Sequence, residues 1–197
     1  MKGFFHDYLY SVVKMFINQF AIAIFGTSLT FATTHAHLED SGFDVLTFIV
    51  SIFSVIFYLF LIYTLTWEIG AKDRISVDVG KKPYRPHLGL LLSFLANLPN
   101  IIIAIIYFIA TVSGAENMMF VVRLIGSLLQ GMFFGMLITV ELPLGASGAY
   151  VAANTHWPTF FIIIIPALIT CWIAYYMGHR NIKIFASLTG KDTASKK

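Results

Sequence analysis

Charge is what this chain has least of. Asp, Glu, Lys and Arg make up 12% of its 197 residues, about half the share usual in a soluble domain. So few charges cannot cover a water-facing surface of this size, and no hydrophilic stretch is long enough to build a separate soluble domain. Cysteine is almost missing too. Cys171 stands alone inside an apolar run, which excludes an intrachain disulfide and leaves the redox compartment open; its type and setting suit a small buried hydrophobe. The signatures of common chemistries are also missing. There is no His-Glu-x-x-His and no Gly-x-Ser-x-Gly around Ser147-Gly148. Gly80-Lys81 lacks the upstream glycine and downstream hydroxyl of a phosphate loop. No Asp, Glu or His lies within the clean apolar segments to act as an acid or base. The chain is therefore expected to be non-enzymatic and to use no cofactor.

Apolar sequence is abundant. Hydrophobic residues make up 58%, aromatics 16%, and the mean hydropathy is +0.80. A spanning helix needs about 20 mostly apolar residues, and five stretches approach this: Met15–Thr34, Val45–Thr66, Leu88–Val112, Met118–Val140 and Thr159–Met177. None alternates with period two, so strands of a membrane barrel are not expected. In lipid an unpaired backbone group is costly, so the stretches should be helices. The expected fold is all-α: one membrane-embedded domain over residues 1–197, a polytopic helix bundle.

Lys2 and Lys14, an apolar run and Thr34-His35-Ala36 imitate a secretory signal, but the run exceeds the 7–15 residues typical of one. A retained first span is the better reading. Phe4, Phe5, Tyr8, Leu9 and Val12 would share one side of a preceding helix, which suggests a short helix lying at the interface.

All Lys and Arg except Arg123 fall in three places: Lys2 and Lys14; Lys72, Arg74, Lys81, Lys82 and Arg85; and Arg180, Lys183, Lys191, Lys196 and Lys197. The other connections carry only acids, among them Glu39, Asp40, Asp44, Glu116 and Glu141. The positive-inside rule then places both termini in the cytoplasm, a result five full crossings cannot give. Residues 118–140 form the weakest crossing, with Arg123, Gln130, Gly126, Gly131 and Gly135. A hairpin turning near Ser127–Gly131 would enter and leave on the outer side, each arm reaching roughly 16 Å, about half the membrane core. Such a re-entrant segment must pack inside the bundle. The alternative is a fifth ordinary span with Arg123 snorkelling to the outer interface.

Ser93, Asn97 and Asn100 share one face of the third segment, and Pro99 deprives the Leu95 carbonyl of its helical partner. An asparagine amide could replace that partner. These groups read as interhelical hydrogen-bonding positions, or as the lining of a solute path together with Arg123 and Gln130. Glu141, then Glu116, are the candidate partners of Arg123. Gln19, Gly26, Thr30 and Thr33 form a stripe on the first segment, and Ser51, Ser54 and Tyr58 one on the second, both suited to close helix packing. Pro166 interrupts the fifth segment.

Glu68 and Lys72 are four apart, so the second helix can continue past the membrane. The cations Lys72, Arg74, Lys81, Lys82 and Arg85 suit lipid headgroups or a cytoplasmic partner. A net charge of +3 already explained by topology gives no reason to expect nucleic-acid binding. His35 and His37, beside Glu39 and Asp40, are weak candidates for a metal, since two histidines fall short of the usual zinc ligand set.

At Trp67-Glu68-Ile69-Gly70-Ala71-Lys72-Asp73-Arg74, Asn97-Leu98-Pro99-Asn100 and Ala174-Tyr175-Tyr176-Met177-Gly178 the chain resembles uncharacterised small polytopic membrane proteins of low-GC Gram-positive bacteria. The resemblance implies a bacterial inner (plasma) membrane and no particular activity. The expectation is a multi-pass protein with both termini cytoplasmic, a non-enzymatic subunit or assembly factor that meets the lipid bilayer and either a membrane-protein partner or copies of itself. The alternative is a small-solute or ion transporter.

Overall fold

The computed structural model describes residues 2–36, 45–141 and 157–182. Helices make up nearly all of them: α1 (Lys2–Ala36), α2 (Val45–Asp78), α3 (Leu88–Ala96), α4 (Leu98–Ser113), α5 (Glu116–Leu129), a 3-10 turn at Gly131–Phe133, α6 (Phe134–Glu141), α7 (Trp157–Ile162) and α8 (Ile165–His179). Three stretches are long and apolar enough to cross a membrane: Asp7–Thr33, Val45–Asp78 and Trp157–His179. Two further stretches are bent pairs, α3–α4 at 58° and α5 with Gly131–Leu137 at 86°. The all-α bundle read from hydropathy is the observed fold.

The distribution of side chains is inverted relative to a soluble protein. Gln19, Thr47, Ser51, Ser54, Thr66, Ser93, Asn97 and Asn100 are buried, while Ile17, Ile24, Ile49, Phe53, Ile56, Ile102 and Ile109 are exposed. A continuous Ile- and Phe-rich exterior around a hydroxyl- and amide-bearing interior suits lipid and would aggregate in water. The fold is that of a polytopic membrane protein in contact with the bilayer.

One end of the bundle gathers the basic segments. Lys82 reaches Asp7 at 2.9 Å, the Tyr84 and His179 rings lie 4.3 Å apart, and the Trp67 indole donates to the Ile182 carbonyl at 2.8 Å. The start of α1, the end of α2, the 79–87 connection and the end of α8 therefore share this basic end. At the far end Thr47 donates to Thr33 at 2.8 Å, and Trp157 packs on Phe108 with ring centroids 4.7 Å apart.

The segment 118–140 is bent by 86° at a break around Gln130. Gly114, at φ 67°, ends α4 in a left-handed cap that glycine adopts without steric cost, and α5 then runs antiparallel to α4. Gly126 of α5 meets Ile103 of α4 and Phe160 of α7. After the bend, Gly131 sits against Ala23 and Thr27, and Gly135 against Thr30 and Ser51. These contacts step along α1 towards the Thr33–Thr47 hydrogen bond. The turn was expected within Ser127–Gly131, and the break falls at Gln130.

The tightest packing joins α2 to α8. A Cβ on Gly70 would strike the Tyr175 carbonyl, and one on Gly178 the Trp67 carbonyl. Small residues let helix backbones approach until their dispersion contacts are dense. Pro166 lies in the first turn of α8, where its missing N–H costs no helical bond.

One expectation is corrected. No separate interfacial helix precedes the first span; α1 is continuous from Lys2 to Ala36. Residues 4–25 contain neither Gly nor Pro to break it, and Tyr8 and Met15 both face the core.

Candidate functional site

Two polar centres lie inside the bundle. The first is built on the break between α3 and α4. Pro99 occupies the first turn of α4, so the chain bends at Asn97, which is buried with Ser93 and Asn100. The Asn97 amide donates to the Ser93 carbonyl at 2.9 Å and not, as the sequence suggested, to that of Leu95. Reaching back four residues preserves the helical direction of the lost bond. The Asn97 carbonyl oxygen then accepts from Gln19 of α1 at 2.9 Å and from Asn100 at 3.2 Å. Tyr58 of α2 closes on the same amide. One asparagine thus joins α1, α2, α3 and α4.

The bend in 118–140 lies next to this centre. Phe133 packs edge-on against Tyr58 with ring centroids 6.3 Å apart, and Gly131 sits one α1 turn beyond Gln19, against Ala23. Gln130 is buried at the bend. Its backbone is paired, through Gly126 at 3.0 Å and Phe133 at 2.9 Å, yet among the described residues neither atom of its side-chain amide has a hydrogen-bond partner. Asn100 Oδ1 and Arg123 Nε are likewise buried without one. A buried unpaired polar group costs roughly 1–3 kcal/mol.

Arg123 lies on the inner side of α5. The backbone of Glu141, its expected partner, ends α6, but the Glu141 side chain lies outside the described residues, as do the side chain of His35 and all of His37. Glu116 is exposed and forms no ion pair with Arg123 among the described residues.

The second centre was not read from sequence. Asp73 is only 7% exposed. Its Oδ2 accepts from Tyr8 at 2.8 Å and from Tyr175 at 3.1 Å. Lys82 lies 4.0 Å from Oδ1 and 4.7 Å from the centre of the Tyr8 ring. A single carboxylate therefore ties α1, α2, α8 and the 79–87 connection together at the basic end. The signal was present in the spacing. The Ser51, Ser54, Tyr58 stripe, continued in steps of three and four, passes through Ile62, Thr66 and Gly70 to Asp73, and every one of these is buried.

The basic candidates separate into two groups. Lys72 pairs with Glu68 at 2.7 Å, Arg74 with Asp78 at 3.5 Å, and Lys82 with Asp7. Lys81 and Arg85 are exposed.

The long apolar helices identify a polytopic membrane protein without identifying its family. Comparison of the chain with protein-family models, curated proteins and solved structures gives no match in any of the three.

Proposed function

We propose that the protein is a non-catalytic subunit or assembly factor of a bacterial plasma-membrane complex, with its basic end in the cytoplasm. The observation that carries the reading is the Gln19–Asn97–Asn100 hydrogen bonding. These polar side chains answer one another across helices, as packing groups do. The orientation rests on the positive-inside rule, since Lys72, Arg74, Lys81, Lys82, Arg85 and Arg180 belong to segments gathered at one end of the bundle. The broad Ile- and Phe-rich exterior offers area to lipid and to other membrane helices alike.

The test is extraction from the native membrane in polymer discs, without detergent, followed by mass measurement. A particle heavier than one 22.1 kDa chain with its lipid is expected, and a second protein or further copies of this chain should be found in it. Particles holding one chain alone would defeat the reading.

A second reading has one observation in its favour. Gln130 is a buried, unanswered amide where a helix breaks beside another broken helix, an arrangement common at transporter binding sites. Solute or ion flux in reconstituted vesicles that Gln130→Leu abolishes would favour transport over assembly.

A further inference from the structure

We propose that the basic end of the bundle carries a site for one anionic phospholipid. A cleft of about 590 Å³ opens there between the start of α3 and Leu168 in the first turn of α8. Its wall is apolar, formed by Leu88, Leu91 and Phe94 of α3 and Leu168 of α8. Arg85 and His87 stand at its mouth, both exposed.

The occupant follows from this division. The wall runs along α3 from Leu88 to Phe94, away from the basic end, and so parallel to a lipid chain in the adjoining leaflet. Leu91 and Phe94 remain well exposed on it, at 44% each. An acyl chain fits that surface at roughly 0.8 kcal/mol per buried methylene. At the mouth, Arg85 offers a planar, permanently charged fork that matches two phosphate oxygens. Among the described residues Lys72, Arg74 and Lys82 face acids of the same chain, whereas Lys81 and Arg85 form no ion pair, and of these two Arg85 lines the cleft. A zwitterionic headgroup brings its own cation and gains less from Arg85. A phospholipid with net negative charge is therefore the favoured occupant. A soluble anion would leave the apolar wall uncovered, and a second copy of this chain would bring its own basic end against Arg85.

The cleft is held open by the fold. Tyr84 at its edge packs on His179, and Gly89 on the opposite side of α3 lets that helix press against the Cys171 carbonyl of α8. The inference depends on membrane integration and not on the existence of a protein partner.

The experiment uses the full chain in discs made from an equimolar mixture of phosphatidylglycerol and phosphatidylcholine, released for native mass spectrometry. One retained phosphatidylglycerol per chain is expected, several-fold in excess of phosphatidylcholine. Arg85→Gln should abolish the preference while leaving helicity and thermal unfolding unchanged. Leu168→Trp, which fills the cleft, should lower retention of both lipids, and Lys72→Gln should alter neither. Equal retention of the two lipids, a preference that survives Arg85→Gln, or a dimer in place of bound lipid would each overturn the proposal. Of these outcomes only a dimer bears on the assembly reading, which it would support while overturning this one.

Discussion

The side-chain amide of Gln19 donates to the Asn97 carbonyl oxygen at 2.9 Å, joining the first helix to the one place where the third segment stops being helical. The asparagine also accepts from Asn100 and donates to Ser93, so the two partners of this bond are unequal. Gln19→Leu removes one donor and leaves Asn97 engaged. Asn97→Leu strands the amides of both Gln19 and Asn100. Both substitutions should destabilise, Asn97→Leu the more, by about 1–3 kcal/mol. The double variant should cost less than the sum, because the two share a partner. Denaturant titration of the protein in mixed micelles reads all three, and equal effects of the single variants would contradict the hub assigned to Asn97.

Gly178 and Gly80 separate steric from conformational demand. Alanine at Gly178 places a methyl on the Trp67 carbonyl, so α2 and α8 must part, at a cost of about 1–3 kcal/mol or more. Gly80 has open space around it but a φ of 73°, so alanine there should cost about 1–2 kcal/mol through the left-handed backbone alone. A disulfide between α2 and α8 engineered near this contact should form more slowly in Gly178→Ala and at the normal rate in Gly80→Ala.

Asp73 binds two tyrosine hydroxyls. Removing the carboxylate as Asp73→Leu leaves both donors unanswered and Lys82 facing an apolar group. The expected loss is about 2–5 kcal/mol. Tyr8→Phe removes one bond and should cost about 1 kcal/mol. Trypsin sensitivity after Lys81 should follow the same order. Wild-type resistance in Asp73→Leu would show that the carboxylate does not hold the connection in place.

Gln130 gives a prediction of opposite sign. Its amide is buried with no hydrogen-bond partner, so Gln130→Leu should stabilise the protein by about 1 kcal/mol if the position serves packing alone. A marked destabilisation would mean that the amide is satisfied by a bound solute or water, and would strengthen the transport reading.

Hydropathy located the helices because lipid demands long apolar runs. The breaks were legible because Pro99 and the Gly126–Gly131–Gly135 series are local signals. The charge pattern also pointed to 118–140 as the irregular segment, since Lys and Arg at both ends of the chain do not fit five crossings. What stayed hidden was long-range. Nothing near Gln19 in sequence marks Asn97, 78 positions away, as its partner. Asp73 was masked by Lys72 and Arg74, which made its surroundings look like a solvated loop, although the spacing of the buried stripe on α2 leads to it. Local sequence puts Tyr8 with Phe4, Phe5, Leu9 and Val12 on the side of a short interfacial helix, whereas its hydroxyl serves Asp73, 65 positions away.

Cysteine labelling from each side of the membrane, in a Cys171→Ala background, tests the arrangement most directly. Single cysteines at Gly80, Ile182 and Ala115 sample the 79–87 connection, the end of α8 and the α4–α5 turn. Positions 80 and 182 should react only with reagent admitted to the cytoplasm, and position 115 only with reagent outside. Labelling of 80 and 182 from opposite sides would contradict a re-entrant 118–140 and the shared basic end together.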